Sequence, residues 1–307
     1  MLKVGGIMTK WDQQYYELTK EILENGVYQK NRTGVDSKKI PAYYLHFDLN
    51  KEFPVLTTKQ LYFRQAILEM LWIYQVQSND VRWLQDRNIH IWDEWEVDEQ
   101  GFWNAYQGIR KEDGTFTKDL VKKNIGKEYA HTIGTAYGYI VSKLKLMDRL
   151  LDDLKNHPED RRMVMSLWQD DYLKTAVLPS CVWSSEWDVT NGKLNAWVHQ
   201  RSCDVPLGLP FNVTQYAVLL YMLAKVNHLE PGTLDWSIKN AHIYVNQIDG
   251  IKEQMKRFEE NGGYDAPELW LNPEIADFYQ FDHSKDCKDI KIKNYKHMGP
   301  IRFPLAK

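Results

Sequence analysis

The stretch SSEWDVTNGKLNAWVHQRSCDVPLGLPFNVTQYAVLLYMLAKVNHL, residues 184–229, decides the fold. Its first part, SSEWDVT followed by KLNAWVHQRS, reads as two strands, and its second, FNVTQYAVLLYMLAKVNHL, is the most apolar helix of the chain. RRMVMSLW (161–168) upstream reads as a third strand, and LDWSIKNAHIYVN (234–246) downstream as another. Strands and helices are mixed without regular β-α-β alternation. That arrangement predicts an α+β fold, with helices covering a mixed, largely antiparallel sheet.

Working outward, WDQQYYELTKEILENG (11–26) predicts a helix stopped by Gly26, with Tyr16, Leu18, Ile22 and Leu23 on one face. KKIPAYYLHFDL (38–49) alternates like a strand, and Pro41 assigns it to a sheet edge or a strand start. FPVLTTKQ (53–60) reads as a loop. LYFRQAILEMLWIYQVQ (61–77) is a long apolar helix carrying one acid, Glu69. SNDVRWLQDRNIHIWDEW (78–95) reads as a shorter helix and an aromatic turn. LKLMDRLLDDLKNHPED (144–160) is an amphipathic helix ending near Pro158, and QIDGIKEQMKRFEEN (247–261) a surface helix. The polar region 96–128 is expected to be a surface insertion, because patterning resumes after it. With no internal repeat or low-complexity linker, residues 1–307 are expected to form one domain.

Hydrophobic residues make up 43% of the chain and charged residues 26%, which fits a globular protein with a sizeable core. The net charge of -3 gives no general attraction to nucleic acid or acidic membranes, so an anionic ligand needs a local arginine cluster. Cys181, Cys203 and Cys287 are odd in number and lack metal-ligand spacing, which predicts no disulfide framework, no metal site and a reducing, cytoplasmic location. The N-terminal MLKVGGIMTKWDQQYYELTK has no long apolar run and does not read as a signal peptide, and no stretch reads as a membrane span. The 12 tryptophans and 18 tyrosines point to aromatic packing and stacking surfaces for a flat ligand.

Several side chains stand out against this background. Cys181 follows LPS, where the hydrophobic run stops. It reads either as an inert core thiol or as a nucleophile. Val182 follows it, so activation requires a cation brought in by the fold, and Arg201 is a candidate. Arg32, Arg161, Arg162 and Arg201 come from different segments, and a guanidinium fork matches phosphate oxygens. Arg161 and Arg162 are adjacent at a helix-to-strand junction, so both reach one ligand only from a loop, or else serve different partners. Glu69 inside an apolar helix must be paired, protonated or functional. Gly208 allows close approach to the backbone, and Asn212 offers a donor and an acceptor without titrating. His242 and Tyr244 lie two residues apart on one strand face, suited to a sugar hydroxyl or simply to a polar sheet face. Together these read as a phosphate clamp, a base reader, a sugar reader, a thiol and a buried acid.

NRTG, FPVLTTK, LEMLWI, IWDEW, RRMVMSLW, LPSC, QRSCDVPLGLPFN and AHIY occur in the order and approximate spacing of the thymidylate synthases. From about Trp11 to the C-terminus the chain resembles that family. The resemblance implies conversion of dUMP to dTMP with 5,10-methylenetetrahydrofolate as one-carbon donor and reductant. It also implies a homodimer formed through a sheet face, each site borrowing Arg161 and Arg162 from its partner. Carried over by position, Cys181 resembles the nucleophile that adds to C6 of uracil. Glu69, Tyr137 and Arg201 join it in the chemistry. Arg32, Gln200, Arg201, Ser202, Asp204, Asn212, His242 and Tyr244 resemble dUMP ligands. Ile91, Trp92, Asp204, Leu207, Gly208, Phe211 and Ala306 resemble the folate wall. The cationic phosphate cluster is expected to activate the thiol.

The chain departs from the commoner family pattern at Val182 (usually His), Asn240 (usually Asp), Ser180 (usually Pro) and the terminal Lys307 (usually apolar). TAYGYIVSKL also lacks the usual Gln-Trp-Arg. Val182 and the altered glycine segment resemble a branch found in some bacilli and their phages. A deoxyuridylate hydroxymethylase would share the first steps, and the retained Trp92 weighs against it. A deoxycytidylate hydroxymethylase is disfavoured because residue 212 is Asn rather than Asp. A non-catalytic nucleotide- or RNA-binding regulator is disfavoured by the intact Cys181, Glu69 and arginines.

Overall fold

The computed structural model describes residues 9–110 and 116–306, with side chains described outside 105–120. In chain order the elements are α1 (Lys10–Asn25), β1 (Val27–Gln29), β2 (Ser37–Asp48), α2 (Phe63–Tyr74), α3 (Arg82–Gln85), β3 (Phe102–Arg110), β4 (Phe116–Asn124), α4 (Gly138–Lys143), α5 (Leu146–Asn156), β5 (Val164–Ser166), β6 (Val182–Thr190), β7 (Lys193–Gln200), β8 (Cys203–Asp204), α6 (Gly208–Val226), β9 (Glu230–Tyr244), α7 (Ile248–Asn261), β10 (Glu268–Leu271) and β11 (Ile290–Lys293). The α+β expectation holds. One sheet runs β1-β2-β9-β7-β6-β5, with β8 also on β9. Only β7 and β8 pair with β9 in parallel. A parallel pair needs a crossover, and α6 supplies it between β8 and β9.

The α6 helix is buried along nearly its whole length because it lies between the sheet and α2. Leu209, Val213, Ala217, Leu220 and Leu223 on it are fully buried, as are Ile67, Leu68, Leu71 and Trp72 on α2. Each such aliphatic side chain contributes about 1.5–3 kcal/mol relative to exposure. The α1 helix starts at Thr9, whose hydroxyl accepts from Asp12 N–H at 2.9 Å. It stops at Gly26, where a Cβ would come within 2.4 Å of the Ile22 carbonyl oxygen. Its deepest face is Trp11, Tyr15, Leu18 and Ile22. Tyr16 and Leu23 are shifted to the flank of that face. Tyr16 stacks on Phe258 and donates to Glu259.

Pro41 lies inside β2 rather than at its start, just past the last residue that β1 covers, Lys39. Its missing N–H therefore falls where β2 has become an edge. Across from it Asn240 has φ +57°, a left-handed conformation that Asn tolerates better than most residues. The polar region 96–128 contains the antiparallel β3–β4 hairpin, which is separate from the main sheet. On the face of the main sheet turned away from α6, Tyr44 (53% exposed) and Trp197 (47%) form an edge-to-face pair, and Trp197 stacks on His199.

Candidate active site

Cys181 sits immediately before β6, half-buried, on the wall of a cavity of about 340 Å³. Arg32, Thr33, Arg201, Ser202, Asp204, Asn240, His242, Tyr244 and the tail residues Leu305 and Ala306 share that wall. These residues come from the β1–β2 turn, the β7–β8 junction, the end of β9 and the C-terminus. The sheet brings them together because β8 and the end of β9 lie side by side, Asp204 opposite His242.

Arg201 is held rigidly. Its Nε donates to the Ser180 carbonyl at 3.0 Å and its Nη2 to the Pro179 carbonyl at 2.5 Å. This puts Nη2 3.9 Å from Cys181 Sγ, with the guanidinium 5.3 Å from the Trp168 ring. Burial nevertheless pushes the Cys181 thiol up, and the pull of Arg201 and Arg32 only partly offsets it. The two arginines of a single chain therefore leave the thiol above its usual range. Arg161 and Arg162 do not reach this cavity. Arg162 is ion-paired with Asp160 at 2.7 Å, and Arg161 borders a separate depression with Met163, Glu186 and Trp197 beside the exposed sheet face.

Behind Cys181, its backbone N–H donates to the Tyr137 hydroxyl at 3.0 Å. Tyr137 has φ +48°, a conformation costing about 1–3 kcal/mol in a non-glycine residue. Gly138 next to it has no alternative, since a Cβ would lie 1.9 Å from the Ser78 carbonyl oxygen. Tyr137 packs edge-on to Trp92, 5.5 Å between centroids.

Trp92 opens a chain of hydrogen bonds. Its Nε1 donates to Glu69 Oε1 at 2.6 Å, and Gln215 Nε2 donates to Glu69 Oε2 at 2.6 Å. Burial drives the Glu69 carboxyl up, and these two donors oppose it. Asn212 Nδ2 donates to Gln215 Oε1, and Gln200 Nε2 donates to Asn212 Oδ1, both at 3.2 Å. Trp236 Nε1 donates to Gln200 Oε1 at 3.0 Å. An indole N–H can only donate, and the Ala66 carbonyl, to which Gln215 Nε2 also donates at 3.0 Å, can only accept, so the sense of every amide between them is fixed.

His242 Nδ1 lies 3.1 Å from the Asn240 carbonyl, which can only accept. Nδ1 therefore carries the proton and leaves the Nε2 lone pair for a partner. Burial pushes the His242 pKa down, in keeping with a neutral ring. The Tyr244 ring stands 5.0 Å away. Asp204 accepts from Leu207 N–H and from Gln247 Nε2, which also donates to the Pro304 carbonyl and so ties the tail to this wall. At Gly208 an added Cβ would meet only Asn212 Oδ1, at 3.6 Å, so packing does not demand a glycine there. Ile91 and Phe211 are half-buried against the core and Leu207 is half-buried, and none of the three lines the Cys181 cavity; nor do Glu69, Trp92, Tyr137, Gln200, Gly208 and Asn212, which lie outside its wall.

Sequence reasoning missed Gln215, although an amide inside the most apolar helix carries the signal that singled out Glu69. It also missed Lys59, which donates to the Pro206 carbonyl and whose pKa burial lowers to about 7. A lysine in a polar loop gives no such signal. Among the described residues no three His, Cys, Asp or Glu side chains form a group able to hold a metal ion. No described helix is long and apolar enough to cross a membrane.

Comparison with known proteins bears on the same residues. The family model described as thymidylate synthase matches residues 13–307. A thymidylate synthase of Clostridium beijerinckii is 45% identical over 299 residues, covering 97% of this chain and all of that protein. The thymidylate synthase of Bacillus phage phi3T is 39% identical over 310 residues, again with 97% and 100% coverage. The solved structure of the thermostable thymidylate synthase A from Bacillus subtilis superposes with a TM-score of 0.80 at 36% identity, over 97% of this chain and all of that one. On a match that takes in the Cys181 loop, the arginines and the amide chain alike, this protein belongs to the thymidylate synthase family.

Proposed function

We infer that the chain converts dUMP to dTMP, with methylenetetrahydrofolate as one-carbon donor and reductant and dihydrofolate as the second product. The observation that carries this reading is one cavity whose wall holds the Cys181 thiol, Arg32, Arg201, Ser202, His242 and Tyr244 together. Arg32, Arg201 and Ser202 offer donors for a phosphate. His242 and Tyr244 offer an acceptor and a hydroxyl for the deoxyribose. Asn212 has two N–H donors and two oxygen lone pairs. One of each is used by Gln215 and Gln200, leaving one donor and one acceptor. Uracil presents the complement, the O4 acceptor and the N3–H donor.

When Cys181 Sγ bonds to C6, the C5–C6 electron pair moves toward C5 and O4, and in this reading an Asn212 N–H stabilises charge on O4. C5 then attacks the one-carbon unit; loss of the C5 proton and of the folate nitrogen leaves an exocyclic methylene, hydride from the folate reduces it to the methyl group, and the C6–Sγ bond breaks to release Cys181. In this reading Glu69 moves protons at O4 and C5 through water, with Tyr137 beside it. Trp92, Leu207, Gly208, Phe211 and Ile91, with Asp204 and Ala306, would face the folate.

Burial leaves the thiol raised despite Arg201 and Arg32, and Arg161, with Arg162 next to it in sequence, borders the depression beside Trp197. Both features fit a homodimer in which the sheet face carrying Tyr44 and Trp197 is buried and each subunit lends its two arginines to its neighbour. One hydrophobic cluster runs from Trp11 to Ile290, which supports treating the whole chain as a single catalytic domain with a hairpin insertion. Free Cys181, Cys203 and Cys287 suit a reducing cytoplasm.

The test is to incubate the protein with dUMP and methylenetetrahydrofolate, follow dihydrofolate absorbance and identify the nucleotide. Equimolar dihydrofolate and dTMP are expected. A hydroxymethylated nucleotide without dihydrofolate would replace this reading with the hydroxymethylase one, against which the names of all the relatives above speak.

A further inference from the structure

Gln215 joins Asn212 to Glu69 in the amide chain, and no step of the reaction itself requires it. Its Oε1 accepts from Asn212, while its Nε2 donates both to Glu69 Oε2 at 2.6 Å and to the Ala66 carbonyl at 3.0 Å. Reversing this amide would aim its oxygen at two acceptors and its N–H groups at a donor. Reversing Asn212 alone would set its N–H against Gln200 Nε2 and its oxygen against Gln215 Oε1. Gln215 is 5% exposed, so water cannot compensate its reversal.

We propose that Gln215 is a specificity-determining positioning residue: it ties the base-reading amide of Asn212 to the Glu69 carboxylate, so that uracil selection and acid function share one hydrogen-bonded lock. The proposal rests on Asn212 reading the base and Glu69 acting as the acid. Cytosine presents an amino group and a bare N3, the reverse of uracil, and fits only a reversed Asn212. The lock therefore rejects cytosine without touching it. At its other end, the Gln215 N–H favours the ionised form of Glu69. The other titratable groups in this environment are Tyr74 on α2, Tyr137 before α4 and, bonded to Tyr74, Tyr216 on α6; Cys181 lies beyond Tyr137. Burial pushes all three phenols up, so they stay neutral where Glu69 titrates.

Two variants separate the ends of the lock. Gln215→Met keeps the length and removes both functions. Gln215→Glu keeps an oxygen facing Asn212 but replaces the donor to Glu69 with a second carboxyl. The measurement is kcat/KM for dUMP and dCMP across pH, with thermal melts to confirm folding. In Gln215→Met the preference for dUMP is expected to fall about tenfold, and the acid limb of the dUMP profile to move to higher pH. In Gln215→Glu the preference is expected to stay, while the acid limb moves at least as far, because two adjacent carboxyls do not both ionise readily. Folded variants that lower kcat/KM equally for both nucleotides, with the acid limb unmoved, would overturn the lock. If Gln215→Met does not fold, an unmoved acid limb in Gln215→Glu overturns it alone. An Asn212→Asp control run alongside distinguishes the failures. If that control shifts base preference and Gln215→Met does not, only the lock is wrong; if neither does, Asn212 is not the base reader and both readings fall.

Discussion

At the end proposed to read the base, Trp236, Gln200, Asn212 and Gln215 bond in one sense toward Glu69, which Trp92 meets from the opposite side. At the phosphate end, Arg32 and Arg201 have no carboxylate salt bridge among the described residues, and the thiol between the two ends is still pushed up by burial. The difference follows from what each end must recognise. A base edge is a pattern of donors and acceptors, which one well-packed chain can fix in advance. A doubly charged phosphate needs several cations, and gathering them on one subunit without their ligand costs repulsion and desolvation. Dividing the arginines between two subunits would relieve that cost.

The comparison breaks first at the thiol. Cys181→Ser is expected to lower kcat by at least about 10⁴-fold, as loss of a nucleophile does elsewhere, while dUMP still binds because the base end is intact. Calorimetric binding alongside steady-state turnover checks both halves. Cys203→Ser and Cys287→Ser should keep near wild-type kcat, since neither lines the cavity.

The division of the arginines can be tested by mixing. Cys181→Ser subunits and Arg161→Ala/Arg162→Ala subunits should each be inactive alone. After exchange, half the dimers are mixed and each has one complete site of two, so about a quarter of wild-type activity should return. No recovery after exchange confirmed by mass spectrometry would mean that each chain completes its own phosphate end.

A smaller effect sharpens the base end. Asn212→Asp should shift preference toward dCMP by at least about tenfold. A protonated Asp can donate to cytosine N3 and accept from its amino group, whereas an ionised one only accepts. The shift should therefore grow as pH falls toward the carboxyl pKa. A ratio of kcat/KM values that does not vary with pH would show that the proton plays no part.

The smallest effect belongs to Ser180, at the open end, whose buried hydroxyl has no hydrogen-bond partner. Ser180→Ala should raise stability by about 1 kcal/mol, read from denaturant melts. A loss of stability would mean that the hydroxyl is satisfied through water.

These two ends were not equally legible in the sequence. Glu69 stood out because a carboxylate in an apolar helix demands an explanation, and Gln215 carries the same signal more faintly because burying an amide costs less. The helices α1, α2, α5, α6 and α7 follow from periodicity and stops. The parallel pairing of β7 with β9 does not, because it depends on how α6 crosses the sheet. The β3–β4 hairpin was hidden for a different reason: its apolar residues, Phe102, Trp103, Tyr106, Ile109, Phe116, Leu120 and Val121, do not alternate regularly with the polar ones. Arg161 and Arg162 could be recognised as a pair, yet no local pattern says which cavity they serve.

The one-way sense of the amide chain also bears on how such a sequence can drift. With a donor fixed at each tryptophan and an acceptor at Glu69, the intervening amides have only one satisfactory arrangement. A substitution at position 200, 212 or 215 that reverses one link leaves its neighbours mismatched, so change there is tolerated chiefly in concert. Those three positions should vary together across lineages, or hardly at all, while Arg32 and Arg201 lie outside that chain and are free of that constraint.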